Sequence, residues 1–180
     1  MLGIGKTSTA IKLTHLLKNR FDFVIWKSLR QAPTLKELLI SILNQFPTDN
    51  LNKNYLHASL CSLIDLFINR LQSHRCLLIF DGFEAVMNND DFHNTAYADF
   101  LQILLEINSQ SNVIITSRNK PYLSTVLADK NLYLMEINGL EIGDIKKIFS
   151  QHGIYGASIG DWINLVNYYG GNPLALKTVA

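Results

Sequence analysis

The sequence has little of several features that would assign a protein class at once. Its 180 residues include only two cysteines and four prolines, and its net charge is only +1. Two cysteines cannot form a disulfide framework, and Cys61 and Cys76 lie in apolar patterns that predict buried thiols in a reducing compartment. A charge near zero with both signs interspersed gives no indication of nucleic acid or an anionic membrane as a partner.

Long apolar runs are also missing. No run approaches the roughly 20 residues of a membrane span, and the N-terminus lacks the basic head and apolar block of a signal peptide. We therefore expect a cytoplasmic protein with no membrane contact. The composition, at 48% hydrophobic and 17% charged residues, is typical of a globular domain.

Four short apolar runs predict strands that are buried on both faces of a parallel sheet. Continuous apolar runs, as opposed to alternation with polar residues, are typical of such strands. The four predicted strands are Phe23–Lys27, Cys76–Phe80, Val113–Thr116 and Leu132–Ile137.

Helical periodicity fills the intervals between these runs and continues after the last of them. Alternating strands and helices predict a doubly wound α/β fold. We expect a nucleotide-binding core over residues 1–138 and the start of a helical subdomain over residues 139–180, with a polar loop at Asn88–Asn94. The predicted helices are Thr7–Lys18, Leu35–Phe46 (with a Thr34–Glu37 capping box), Leu56–Leu71, Ala96–Ile107, Ile142–Gln151, Asp161–Tyr169 and Leu174–Ala180.

The first candidate site is the opening stretch GIGKTS, which carries the end of the phosphate-loop pattern G-x-x-x-x-G-K-[ST]. Gly3 and Gly5, on either side of Ile4, would let backbone N–H groups approach phosphate oxygens. Lys6 would reach the terminal phosphates and the Thr7 hydroxyl would be a ligand of Mg²⁺. A flexible glycine-rich tail before a helix is the alternative interpretation.

Two acidic residues follow the second predicted strand, in CLLIFDGFE. Asp81, at the end of an apolar strand, could hold the water shell of a magnesium ion. The residue after it is Gly82, so Glu84 is the nearest carboxylate that could orient a water molecule. An aspartate in a turn and an exposed glutamate are the alternatives.

Two later segments complete the pattern. Arg118 follows the third strand in NVIITSRNK, where it could pair with a terminal phosphate or with a surface carboxylate. Pro173, in GGNPLAL, begins a new helix and could pack against a nucleotide base or simply start that helix.

Together these segments resemble the NB-ARC domain of the STAND class of P-loop ATPases, and closely resemble cyanobacterial members that carry repeat domains. The resemblance covers nearly the whole chain. It is carried by GIGKTS (Walker A), FDFVIWKSLRQAP, CLLIFDGFE (Walker B), VIITSR (first sensor), LMEINGLEIGDIKKIF and GGNPLAL (the GLPL motif).

The resemblance implies a switch in which exchange of ADP for ATP controls oligomerisation. It implies that Gly5, Lys6, Thr7 and Ser8 hold the phosphates and magnesium. It further implies that Asp81 is the Walker B acid, that Arg118 senses the phosphate and that Pro173 contacts the adenine. Because many relatives have a second acid where this chain has Gly82, we expect a slow Mg²⁺-dependent ATPase at most. Protein partners or self-association would depend on flanking domains that the chain does not include.

The incomplete loop gives a further expectation about the sheet. The first glycine of the pattern would precede Met1, so Met1 is interpreted as an internal methionine, with the strand that feeds the loop missing. We expect that strand at the centre of the sheet, which would leave a vacancy of about 9.6 Å between the strands ending at Asp81 and Arg118.

Two other functions remain open at this stage. One is a degenerate gene fragment or interaction module that binds no nucleotide. The other is a metabolic P-loop kinase, against which the GGNPLAL segment and the lack of a second-substrate motif argue.

Overall fold

The computed structural model describes residues 2–47, 55–87, 92–119 and 132–180. The chain divides into two compact units. One comprises the residues up to Thr9 together with Leu134–Ala180, and the other comprises Ala10–Tyr133. The predicted boundary after residue 138 stays a prediction. In the described ranges, no helix has both the length and the apolar character needed to cross a membrane.

A parallel sheet forms the centre of the Ala10–Tyr133 unit. Its strands are β1 (Phe23–Ser28), β2 (Cys76–Asp81) and β3 (Asn112–Thr116), and they lie in the order β1-β2-β3. Ile79 of β2 is opposite Trp26 of β1 on one side and Ile114 of β3 on the other. The parallel α/β fold and three of the predicted strands are therefore confirmed.

The predicted vacancy in this sheet is wrong. β2 and β3 pair directly over five consecutive residue pairs, from Leu77 opposite Asn112 to Asp81 opposite Thr116. All six residues of β2 are buried, so unpaired N–H and C=O groups along its edge would be costly. Pairing on both edges satisfies them, and a further strand could join only at an outer edge of the sheet.

Seven α-helices accompany the sheet in the described part of the chain. Five of them start within two positions of their predicted first residues, and the Thr34–Glu37 capping box of the second is confirmed. They are α1 (Lys6–Leu17), α2 (Leu35–Leu43), α3 (Leu60–Ser73), α4 (Phe92–Glu106), α5 (Ile142–Gln151), α6 (Ile159–Tyr169) and α7 (Pro173–Val179).

Two helices begin elsewhere than predicted. α3 begins at Leu60, later than Leu56, because the Ser59 hydroxyl accepts a hydrogen bond from the Ser62 N–H and caps the helix there. α4 begins at Phe92, inside the predicted polar loop. The first part of that loop, residues 88–91, lies outside the described residues.

Alternate residues of β2 pack on opposite faces of the sheet. Cys76, Leu78 and Phe80 join the main core with α2, α3 and α4. Leu77 and Ile79 pack instead against Ala10 of α1. The continuous apolar run of this strand is thus explained by a cover on both faces.

Only one of the two cysteines is buried. Burial raises the pKa of the Cys76 thiol, whereas Cys61 is exposed, so its predicted burial is wrong. The buried stripe of α3 consists of Leu63, Phe67 and Leu71. Cys61 precedes Leu63 by two positions, about 200° around the helix, and therefore lies on the solvent side.

The fourth predicted strand is also wrong. Residues 132–137 form no strand, and Tyr133 and Met135 are 94% and 74% exposed. An apolar run becomes a strand only where a neighbour supplies a ladder, and no described segment pairs with this one.

The unit that contains the C-terminal residues has a small helical core of its own. Ile145 and Phe149 of α5 pack with Trp162 of α6 and Leu176 of α7. The rings of Phe149 and Trp162 meet edge to face, with centroids 5.3 Å apart.

Candidate functional site

Two glycines give the opening loop a backbone conformation that other residues rarely adopt. Gly3 has φ +79° and Gly5 has φ +111°, and both lie in the left-handed region that favours glycine. Ile4 between them is buried. A Cβ at Gly5 would meet no atom within 4 Å, so glycine is needed there for its conformation and not for space.

The first helical turn follows at once. α1 begins at Lys6, and its first backbone hydrogen bond runs from the Thr9 N–H to the Gly5 carbonyl at 2.8 Å. Lys6 and Thr7 are half-buried and Ser8 is exposed. The candidate phosphate ligands therefore occupy a helix N-terminus, where backbone N–H groups and the helix dipole favour an anion.

Asp81 is a buried carboxylate at the carboxyl end of β2, with 4% of its surface exposed. Its Oδ1 accepts a hydrogen bond from the Thr116 hydroxyl at 2.7 Å. The same hydroxyl accepts a hydrogen bond from the Gly82 N–H at 3.1 Å. Thr116 lies opposite Asp81 in the ladder, so the end of β3 fixes the orientation of this carboxylate.

Arg30 is a member of this cluster that the sequence did not predict. Its Nη2 donates to Asp81 Oδ2 at 3.1 Å. It follows β1 by two residues, and the carboxyl ends of neighbouring parallel strands meet at one edge of a sheet. That rule, applied to adjacent strands, would have indicated it.

Gly82 leaves the space that the side chain of Arg30 occupies. It has φ +81°, and a Cβ there would lie 2.9 Å from Arg30 Cγ. The stem of an arginine therefore crosses the position that follows Asp81. An acidic side chain at residue 82 would require both a strained backbone and a displaced Arg30.

Glu84 and Arg118 are brought together. Glu84 lies in a short 3-10 helix, Phe83–Val86. Its Oε1 is 3.0 Å from Arg118 Nε, and its Oε2 accepts the Arg118 backbone N–H at 3.1 Å. One carboxylate thus holds both the backbone and the side chain of the predicted phosphate sensor.

The Asp81 carboxylate and the Thr7 hydroxyl are each a ligand of the kind that Mg²⁺ takes. In the described ranges, no group of three or more His, Cys, Asp and Glu side chains could hold a metal ion. Mg²⁺ takes hard oxygen ligands, keeps several waters and usually needs only one or two carboxylates beside phosphates. Each of the two groups, taken by itself, therefore fits a magnesium ion that is bound together with a nucleotide.

Pro173 is the first residue of α7 and is half-buried. Asn172 before it caps the helix by accepting hydrogen bonds from the Leu174 and Ala175 N–H groups. Proline at the first helical position and asparagine at the N-cap are both favourable. Helix capping therefore accounts for this pair of residues without any ligand.

Solved structures share this fold. The sheet and helices are similar to those of two solved proteins of Aeropyrum pernix, ORC1 in complex with DNA (TM-score 0.57) and ORC2 in ADPNP-ADP complexes (TM-score 0.56). Each is 16% identical and covers 84% of this chain, which spans 41% and 43% of theirs. At that identity the likeness shows the fold alone: this is an α/β domain built around a parallel sheet.

The family follows from the sequence. Residues 1–157 match the NB-ARC domain family, and the chain belongs to it. It is 34% identical over its full length to an uncharacterized WD repeat-containing protein of Nostoc, and 28% identical over 99% of its length to disease resistance protein RGA5 of Oryza sativa subsp. japonica. The chain spans 15% and 16% of these relatives. The resemblance inferred from the motifs is confirmed.

Proposed function

We propose that this chain is the ADP- and ATP-binding part of a signalling switch in which nucleotide exchange controls oligomerisation. The observation that carries the proposal is the opening loop, where two left-handed glycines lead directly into the N-terminus of α1. This backbone presents N–H groups to an anion without an intervening side chain. Membership of the NB-ARC family supports a nucleotide as that anion.

Each loop residue has a distinct role in this proposal. Gly3, Ile4 and Gly5 supply backbone N–H groups to the phosphate oxygens. Lys6 contributes a positive charge to the terminal phosphates, and the hydroxyls of Thr7 and Ser8 contribute oxygen ligands. Lys6, Thr7 and Ser8 lie in the first turn of α1, so the helix backbone sets their positions.

Asp81 would hold the water shell of the magnesium ion, and Thr116 orients its carboxylate. Magnesium bound with the nucleotide would neutralise phosphate charge. Arg30 occupies Asp81 Oδ2 and would have to release it when that oxygen faces a cation. The guanidinium is 66% exposed, so water can hydrate it once it has released the carboxylate.

Arg118 would report a terminal phosphate and Pro173 would contact the adenine. Glu84, which holds Arg118 through two contacts, would keep the sensor in place and have little freedom to activate water. With Gly82 in the position of a second acid, any ATP hydrolysis is expected to be slow.

The relatives support the signalling part of the proposal. One carries WD repeats and the other is a disease resistance protein, and both are several times longer than this chain. We therefore propose that flanking domains supply the protein partners and that the protein acts in the cytoplasm.

A second candidate is an interaction module that binds no nucleotide. It is favoured by one observation: Asp81 and Glu84, the two candidate acids, are both paired with arginines. A purely structural role would explain these ion pairs without any ligand.

The experiment measures the nucleotide content of the purified full-length protein. We expect it to copurify with ADP, and we expect Lys6→Ala to remove it. Loss of a charge-assisted phosphate contact costs about 1.5–3 kcal/mol, which weakens binding about ten- to a hundredfold. Lys12→Ala is the matched control, since Lys12 is an exposed lysine of the same helix. A purified protein without nucleotide would favour the interaction module, and equal ADP content in the two variants would contradict the role of Lys6.

A further inference from the structure

The side chain of Asn172 makes hydrogen bonds in two directions. Its Oδ1 accepts from the Leu174 and Ala175 N–H groups at 3.0 and 3.4 Å, which caps α7. Its Nδ2 donates to the Leu2 carbonyl at 2.7 Å. The opposite amide orientation would set N–H against N–H and oxygen against oxygen, so only the observed orientation satisfies all three contacts. We name the Nδ2–Leu2 contact the Asn172 bridge.

The Asn172 bridge ends at the first peptide unit of the phosphate loop. The Leu2 carbonyl and the Gly3 N–H belong to one planar, trans peptide group, so they point in opposite directions. When Asn172 holds the carbonyl, it also fixes the direction of the Gly3 N–H. That N–H is a candidate phosphate donor.

Gly3 lies in close contact with the same segment. A Cβ at Gly3 would lie 2.8 Å from Leu174 Cβ and 2.9 Å from Asn172 Oδ1. Unlike Gly5, Gly3 is therefore required for space as well as for its φ of +79°. The loop backbone rests directly on the start of α7.

Asn172 is itself held in place from two sides. Its backbone N–H donates to the Tyr169 carbonyl of α6 at 3.0 Å. The preceding Gly171 accepts the Leu140 N–H at 2.7 Å, and a Cβ at Gly171 would lie 2.7 Å from the Leu140 oxygen. This backbone-to-backbone packing leaves the segment before α7 little room to move.

We infer that Asn172 is a positioning residue for the phosphate loop. It sets the direction of the Gly3 N–H and couples the conformation of the loop to the segment between α6 and α7. The coupling works both ways: a nucleotide that reorients the Leu2–Gly3 peptide breaks the bridge, and a movement of α7 changes the loop. That the ligand is a nucleotide rests on the proposed function. The geometry rests on hydrogen bonds within the protein.

The test uses Asn172→Ser in the full-length protein. Serine caps a helix about as well as asparagine, carries no charge and is too short to reach the Leu2 carbonyl. Asn164→Ser is the matched control, since Asn164 is an exposed asparagine of α6. Two quantities are measured: amide hydrogen exchange of the loop without nucleotide, and ADP affinity by calorimetry.

We expect Asn172→Ser to speed exchange of the bonded amide at the end of the loop, the Thr9 N–H that donates to the Gly5 carbonyl, and to weaken ADP binding about tenfold, with a thermal midpoint equal to that of Asn164→Ser. Exchange and affinity equal to those of the control would overturn the inference. If the unsubstituted protein binds no ADP, the proposed function fails, and the exchange comparison still decides the inference. Should Asn172→Ser not fold, Asn172→Asp keeps the cap, removes the donor and must show the same faster exchange.

Discussion

Replacing Thr116 by valine removes one hydroxyl and very little volume from the buried cluster around Asp81. The hydroxyl donates to Asp81 Oδ1 at 2.7 Å and accepts from the Gly82 N–H at 3.1 Å. Thr116 is only 8% exposed, so water has little access to replace it. Valine therefore leaves the Gly82 N–H without this acceptor and Asp81 without this donor.

The expected cost can be worked from the two bonds. A hydrogen bond to a charged group contributes about 1.5–3 kcal/mol, and a buried polar group left unsatisfied costs about 1–3 kcal/mol. Since both bonds share one hydroxyl and the cluster can relax, we expect Thr116→Val to lower the free energy of unfolding by about 3 kcal/mol. That is a large part of the roughly 5–15 kcal/mol of a typical domain.

Urea unfolding of Thr116→Val and Thr116→Ser separates the hydroxyl from the methyl group. Serine keeps the hydroxyl and loses one methyl, at a cost of about 1 kcal/mol. We expect both variants to unfold with the same dependence on urea and the valine variant to have the lower midpoint. A valine variant as stable as the serine variant would refute the role of Thr116 in orienting Asp81.

Two further predictions concern acidic residues. Glu84→Gln should lower the slow release of phosphate from ATP, because glutamine no longer pairs with the Arg118 guanidinium. It should change the free energy of unfolding by less than about 1 kcal/mol, because Arg118 is half-exposed. Rapid multiple turnover by this variant would show that the reaction does not depend on Glu84. For Asp161, the side-chain and backbone hydrogen bonds from Ser158 lower the pKa of the carboxyl. Its stabilising effect is therefore present above the ordinary value of 3.8 and is lost as the pH falls through the lowered value. The stability difference between the unsubstituted protein and Asp161→Asn should shrink over that acid range, and a difference independent of pH would contradict the assignment.

The fold could be predicted from the sequence where burial and local chemistry agree. The run CLLIFD became β2 because it is covered on both faces, and Thr34 with Glu37 began α2 because that signal is local. The run LYLMEI looked the same in sequence, but a strand also needs a neighbour, and periodicity does not report one. The predicted vacancy failed for a related reason, since strand order depends on ladder pairing between distant segments.

The candidate site, like the fold, could be predicted from the sequence only in part. The loop glycines and Asp81 were recognisable from motifs, whereas Arg30, Thr116 and Asn172 act through contacts that no short motif contains. The Asn172 bridge joins positions 170 residues apart. Pro173 indicated the start of a helix, which is correct, but nothing near it in the sequence indicated that the amide of Asn172 bonds in two directions.

The order β1-β2-β3 has a consequence for how this protein folds during its synthesis. Each strand pairs with the strand made just before it, so the sheet can grow sideways in one direction as the chain leaves the ribosome. At about 5–20 residues per second, β2 waits a few seconds for its second neighbour. During that interval the strand CLLIFD, whose six residues are all buried in the folded structure, has one edge open to other nascent chains. Slow translation between Asp81 and Asn112 would lengthen that interval, and a chaperone that binds extended apolar segments would find its best target there.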